Sequence, residues 1–318
     1  MSLDTFDSIF QQFPAPTPAD WKEKIIKDLK GESFDKLIWH SREGIDVLPF
    51  YTNEDSERYQ LSIPEKSAKG WMITERIFVQ DIVSANQEAL KALQAGAGAL
   101  VFDLQGKSFH KAEIDSLLEG ILLEVAPLTF ENYTEDDRDM LEAVQKGACP
   151  FVVKISEQET MSDELAAALL QGVQYRDKDI RFHFLIGGNY FFEIARLRAL
   201  RWLWKQVCEI SNQPYSIFIQ CETDTRSFSI EEENVNMLRN TTEAMSAILG
   251  GCDSLIINSH DILTDNSDFG KRIARNVHHI LHYESYFNEI EDAAKGSYYI
   301  EYLTYQLCKK SWEKFSKS

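Results

Sequence analysis

Positive charge is scarce in this chain. Against 51 acidic residues stand 33 basic ones, a formal net charge of −18 over 318 residues. Such a surface repels polyanions, which argues against nucleic acid and anionic membranes as partners and in favour of solubility. Cysteine is scarce too. Cys149, Cys208, Cys221, Cys252 and Cys308 lie far apart, are odd in number and form no CxxC pair. That excludes a disulfide framework and a thiolate zinc site, and it points to a reducing compartment. No apolar run reaches membrane-spanning length, and the opening MSLDTFDSIFQQF lacks a basic region followed by an apolar core. The expectation is a soluble protein of the cytoplasm, or of an organelle after processing. Signature motifs are missing as well: there is no GxGxxG after the first strand, no GxSxG, no P-loop and no HExxH.

What is present is alternation. Hydrophobic residues make up 44% of the chain, enough for a large core. From Trp71 onward, short β-rich runs alternate with longer amphipathic ones. The pattern predicts strands near 71–79, 98–103, 120–126, 150–155, 181–187, 215–222, 254–258 and 297–300. Helices are predicted near 82–95, 110–118, 135–146, 159–172, 189–210, 230–249, 267–287 and 301–316. The clearest helix follows Asn189, with Ile194, Leu197, Leu200, Trp204 and Val207 at spacings of three and four. Ser229 and Glu232 have capping-box spacing at the start of another. Eight strand–helix alternations predict an α/β fold, the closed (β/α)8 TIM barrel. An open doubly wound sheet is disfavoured because its glycine fingerprint is absent.

The first seventy residues differ. Thr17-Pro18-Ala19-Asp20 reads as a helix start, with an N-cap, a proline at the first helical position and an acid in the first turn. Gly31 is placed to stop that helix. KLIWHSREGIDVLPFYT, 36–52, then reads as extended chain with turns, and its Trp39, Phe50 and Tyr51 need a surface to lie against. The division expected is an N-terminal arm, 1–69, serving as a subunit contact, followed by the barrel, 70–318.

In a TIM barrel, function sits where strands end. The polar residues there are Asp103, Glu124, Lys154, Gly187, Gly188, Asn189, Gln220, Glu222, Thr223 and Asn258. Asp103 and Glu124 have the chemistry of an acid–base pair, but strand-end hydrogen bonding explains them better. His278 and His282 stand four apart on a helix, a spacing that metal sites use, although that helix lies outside the barrel. His183 lies within the fifth strand. The Gly187-Gly188-Asn189 turn suits either close packing or an anion at a helix N-terminus. Taken from the residues alone, these assemble no recognisable catalytic set.

Several stretches resemble the methylmalonyl-CoA mutase family, in order and over nearly the whole chain. Ala19-Asp20-Trp21, Asp28-Leu29-Lys30-Gly31 and the run from Glu43 to Thr52 are similar to the family's N-terminal arm. IGGNYFFEIARLRALRWLW, from Ile186, is similar to the stretch after its fifth barrel strand. NVNMLRNTTEAMSAILGGCDSL, from Asn234, RIARN, from Arg272, and Gly296-Ser297-Tyr298-Tyr299-Ile300-Glu301 are similar to later segments. In the family, the catalytic subunit rearranges a CoA thioester by an adenosylcobalamin radical, with the substrate threading the barrel and cobalamin on a further domain.

Three departures bear on chemistry. The 318 residues contain no DxHxxG segment, whose histidine would ligate cobalt, and no counterpart of the cobalamin domain. Gln220 stands where the family's HCQTSG-like segment has its histidine, and glutamine cannot exchange a proton near neutral pH. Arg76 falls where the family has its TIRQYAGFS tyrosine. The resemblance therefore implies no catalytic residue here and no cofactor bound by this chain. It implies a small, non-catalytic subunit that forms a heterodimer with a large catalytic subunit, which would carry adenosylcobalamin and perform the methylmalonyl-CoA/succinyl-CoA isomerisation. Arg76, Asn189, Gln220, Thr223 and Asn258 remain as candidate substrate-binding positions. Two alternatives stay open: the substrate-binding half of a split acyl-CoA mutase using a separate cobalamin-binding chain, or a CoA-thioester binding module.

Overall fold

A computed structural model describes residues 17–59, 61–66, 69–145, 151–175 and 180–317. Cys149 lies outside them. Among the described residues no helix is long and apolar enough to cross a membrane.

The chain opens with α1 (Pro18–Asp28), held by the capping box that the sequence predicts: the Thr17 hydroxyl accepts from Asp20 N–H, and Asp20 accepts from Thr17 N–H. Gly31, at φ +97°, follows its end. A two-residue hairpin comes next, β1 (Trp39–His40) against β2 (Asp46–Val47), and then α2 (Asn53–Tyr59). This segment lies on the chain's own helices. Trp39 meets Phe192 edge-on, and Tyr51 and Tyr59 pack on Tyr302 with ring centroids 4.9 and 5.1 Å apart. Ile45 and Val47 join the main core.

Seven parallel strands follow: β3 (Met72–Phe78), β4 (Ala99–Asp103), β5 (Leu128–Glu131), β6 (Phe151–Lys154), β7 (Ile180–Ile186), β8 (Phe218–Thr223) and β9 (Ser254–Ile256). Between and after them run α3 (Ile82–Gln94), α4 (Lys111–Leu117), α5 (Arg138–Gln145), α6 (Met161–Gln174), α7 (Tyr190–Ile210), α8 (Glu233–Leu249), α9 (Asp268–His279) and α10 (Tyr298–Phe315). The hydrogen-bonded order is β5-β4-β3-β9-β8-β7-β6. The two ends of that ladder face each other, since Lys154 of β6 reaches Glu131 of β5 at 2.8 Å. The α/β sheet is therefore curled in the manner of a barrel, with helices outside.

Two predicted strands are displaced, for local reasons. The segment 120–126 is a chain of tight turns, with Ile121 N–H donating to Leu118 O and Ala126 N–H to Leu122 O. It leaves Leu122 and Val125 exposed, and the strand begins only after Pro127. The predicted eighth strand, 297–300, is instead the first turn of α10. There Ile300, Leu303, Thr304, Leu307, Cys308 and Ser311 are buried at helical spacing, so the 3.6-residue period overrides the β-branched and aromatic propensity of the first residues. The seventh strand accordingly pairs directly with the first: Met72, Ile73 and Thr74 lie opposite Ser254, Leu255 and Ile256. Ser229 still accepts from Glu232 N–H, but Glu232 is the N-cap and α8 opens at Glu233, three residues after the predicted start.

Side chains alternate across the strands. Outward, Ile77, Leu100, Phe102, Leu128 and Phe130 meet Ala85, Ala89 and Ala92 of α3. Phe182, Phe184, Ile186, Ile219, Cys221 and Leu255 meet α6, α7 and α8 in the larger core. Inward, the same strands carry charge.

Candidate functional site: the barrel axis

Arg76 occupies the axis from β3, its side chain 8% exposed. Its guanidinium forks onto Glu222 of β8, Nε to Oε1 at 3.3 Å and Nη2 to Oε2 at 2.6 Å. Nη1 donates to Glu131 of β5 at 2.8 Å and lies 3.5 Å from Asp103 of β4. His183 of β7 stands between the carboxylates, 3.1 Å from Glu222 and 3.8 Å from Glu131. Lys154 of β6 pairs with Glu131 at 2.8 Å while its half-exposed stem reaches the barrel mouth. Three carboxylates thus face Arg76, Lys154 and His183 within one layer.

Burial penalises the charged form of Glu131 and Glu222, but Arg76 and His183 outweigh it and hold both carboxyls below the usual carboxylate range. Burial likewise works against the Arg76 cation, and Glu222 and Glu131 more than compensate. A general base must have a pKa near the working pH. Carboxylates held this firmly ionised, with a fork of guanidinium hydrogen bonds on them, are poor proton acceptors. The layer is suited to neutralising itself.

One layer below, Gln220 is fully buried, and its Oε1 accepts from Arg181 Nη1 at 3.0 Å. Arg181 also donates to Thr129 Oγ1 across the axis at 2.8 Å and lies over the Phe218 ring. Asn258, just past β9, braces the mouth: its Nδ2 donates to Glu222 Oε1 and to Thr223 O, and its N–H donates to Thr223 Oγ1. Thr223 faces away from the axis, as alternation requires. Asn189 is exposed at the N-cap of α7 and makes no side-chain cap bond. Of the five candidate substrate positions, then, Arg76 and Asn258 meet through Glu222, Gln220 lies one layer beneath, Thr223 serves the backbone and Asn189 stands apart.

Glu124 does not pair with Asp103. It is exposed in the turns before β5, and Asp103 instead accepts from Asn132 Nδ2 and Gln105 N–H. The helix-spaced histidines assemble no metal site: His278 Nδ1 accepts from Trp71 Nε1–H at 3.0 Å, and the His282 ring packs on Trp71. Among the described residues no cluster of three or more His, Cys, Asp or Glu could hold a metal ion.

The sequence reading missed Glu131 and Arg181. Glu131 was hidden by the misplaced third strand. The signal was Pro127 followed by alternating Leu128, Thr129, Phe130 and Glu131, a strand opened by proline. A cavity of about 40 Å³ between β3, β9 and α9 touches Arg76 and Asn258. Small-molecule sites run to roughly 300–1,000 Å³.

The methylmalonyl-CoA mutase family profile matches residues 160–317, from α6 to the end of α10. The methylmalonyl-CoA mutase small subunit of Porphyromonas gingivalis is 30% identical, over 97% of this chain and 64% of that protein. The small subunit of Streptomyces virginiae is 25% identical, over 98% of this chain and 64% of that protein. A methylmalonyl-CoA mutase of Cereibacter sphaeroides is 38% identical, over 92% of this chain and 57% of that protein. The chain thus spans less than two thirds of the length of these relatives. With the similar relatives named alike and the match running from the arm to the last helix, the chain belongs to the methylmalonyl-CoA mutase family.

Proposed function

We propose that this chain is a non-catalytic small subunit that pairs with a large, catalytic methylmalonyl-CoA mutase subunit and supports its assembly. The observation that carries the reading is the filled axis. Where a substrate would have to thread the barrel, Arg76 is forked onto Glu222 and bonded to Glu131, Lys154 pairs with Glu131, and His183 stands 3.1 Å from Glu222. Gln220, at the family's histidine position, is committed to Arg181. The relatives aligned over nearly all of this chain include two named as small subunits.

Adenosylcobalamin belongs, in this reading, to the partner. The axis residues here do not fit it, because the interior is occupied by ion pairs. Residues 1–69 are proposed as the arm and 70–318 as the barrel, in a cytoplasmic heterodimer. The test is size-exclusion chromatography with light scattering, on this chain alone and mixed with the large mutase subunit at micromolar concentration. A one-to-one complex is expected. A mixture that elutes as two separate species overturns the proposal.

A further inference from the structure

Behind the loops that leave β7 and β8 lie two buried carboxylates that the axis does not use. Glu193, in the first turn of α7, is 3% exposed; its Oε1 accepts Gly187 N–H at 2.9 Å, and its Oε2 pairs with Arg196 at 2.5 Å. Glu243, in α8, is 1% exposed; its Oε2 accepts Asp224 N–H at 3.0 Å, and its Oε1 lies 3.4 Å from Ser227 Oγ. Each carboxylate therefore fastens the first loop residues after one barrel strand. Gly187 leads to the exposed Gly188 and Asn189, and Asp224 leads to Arg226.

The charges around them do not balance. Arg196 is shared between Glu193 and Glu164 of α6, and it donates to Leu185 O at 2.6 Å. Arg226 is held by Asp224 and by Glu157. From the arm, Glu43 faces Glu164 and Arg196, with Lys314 of α10 nearby and itself paired with Asp163. From β8, the buried Cys221 thiol faces Arg196 and Glu193. Glu43, Glu164 and Glu193 thus share Arg196, Asp224 and the exposed Glu157 share the half-exposed Arg226, and Glu243 has no cation among its hydrogen-bond partners. A carboxyl buried like Glu243, beside Asp224 and Glu193 and without a cation, resists ionisation.

We infer that Glu193 and Glu243 form a proton-operated latch on the mouth of the barrel, which holds the loops after β7 and β8 shut when protonated and loosens them when the protons leave. The direction of titration agrees. Burial pushes Glu193 up to about 7 against the pull of Arg196, and burial with the Asp224 charge pushes Glu243 up to about 8. Because both are raised, the stabilisation belongs to the protonated form. It is complete below the ordinary carboxylate pKa, declines above it, and is gone once the pH has passed about 8.

Hydrogen exchange read by mass spectrometry on the full chain at pH 6 and pH 9, corrected for intrinsic rates, tests this. Segments 187–190 and 224–228 are expected to lose about tenfold or more of their protection at pH 9, one proton being worth up to tenfold per unit, while β4 is unchanged. Glu243→Gln keeps the acceptor and cannot titrate, so protection at 224–228 becomes independent of pH. Equal protection at both pH values in the unmodified chain, or full pH dependence in Glu243→Gln, overturns the inference. Should that variant not fold, carboxyl carbon NMR of the unmodified chain decides: two glutamates titrating between pH 6 and 9 support the latch, and all glutamates titrating below pH 5 overturn it.

Discussion

The two faces of β7 differ as sharply as any two regions of the molecule. Phe182, Phe184 and Ile186 point at the helices and are essentially inaccessible; Arg181 and His183, alternating with them, point at the axis and are almost as deeply buried. The outer wall is held by apolar contact, which is non-directional and tolerant of small changes in shape. The axis is held by ion pairs whose desolvation is offset only while every partner is present. The same strand thus carries a forgiving surface and an unforgiving one, and substitutions should separate them.

The largest effect is expected at Arg76. Arg76→Ala leaves Glu131, Glu222 and Asp103 facing one another without their shared cation, a loss of about 3–5 kcal/mol for one broken buried pair. Arg76→Lys restores the charge but not the fork onto Glu222, and should recover only part of it. Urea unfolding followed by circular dichroism measures both. If Arg76→Ala unfolds at the same midpoint as the unmodified chain, the axis is not the unforgiving face.

Acid separates wall from axis next. His278 belongs to the wall, where burial pushes it down to about 3 and its Nδ1 lone pair takes Trp71 Nε1–H. Its folded pKa is depressed, so its contribution is present above the unfolded value of about 6.5 and declines as pH falls from there toward 3. Glu131 and Glu222, also depressed, contribute above about 4.3 and fail only below it. The melting temperature of the unmodified chain minus that of His278→Gln, whose amide oxygen can still accept from Trp71, should narrow steadily between pH 6.5 and 4.5. Glu193 and Glu243 act with the opposite sign in this window but cancel in the difference. Parallel curves would show that His278 is not held neutral.

On the wall itself, Phe182→Leu, which removes part of the ring and leaves a small cavity, should cost about 1–2 kcal/mol, less than a broken axis pair. A calorimetric shift far beyond that would mean that the edge-on contact of Phe182 with Trp204, ring centroids 5.1 Å apart, is as demanding as the ion pairs.

The same contrast explains what could be read from the sequence. Wall residues announce themselves by period: the α7 run from Ile194 to Val207, and the alternation in β3, β4, β7 and β8, gave those elements nearly to the residue. Axis residues have no period of their own beyond lying opposite the wall, and which acid meets which cation depends on strand register. Placing the third strand at 120–126 put Glu124 on the axis in place of Glu131, an error that hydrophobicity could not reveal because Leu122 and Val125 are apolar yet exposed. Arg76 and Gln220 were singled out by their departure from a family pattern, whereas their partners Glu131 and Arg181 could be named only once the strands were in space.

The smallest effect on stability, and the largest on association, is expected at the arm. None of the eleven residues of α1 is buried, and Trp21 and Ile26 remain 53% and 46% exposed although the helix is fully capped. Trp21 touches the Phe50 ring at 6.1 Å, so its removal costs a partial contact. Trp21→Ala should change unfolding free energy by no more than about 0.5 kcal/mol, the range of surface substitutions. Between 17 and 52 the chain carries six basic and seven acidic residues, near balance in a protein of net charge −18. A nearly neutral projection that exposes Trp21 and Ile26 on a strongly acidic body is suited to a partner's surface, where buried aromatic anchors dominate the binding energy at about 2 kcal/mol or more each. Trp21→Ala should therefore weaken binding to the large mutase subunit by roughly tenfold or more at unchanged stability. Calorimetric titration measures the first quantity and thermal unfolding the second. Lost stability with intact binding would make α1 a structural brace of this chain and move the interface elsewhere.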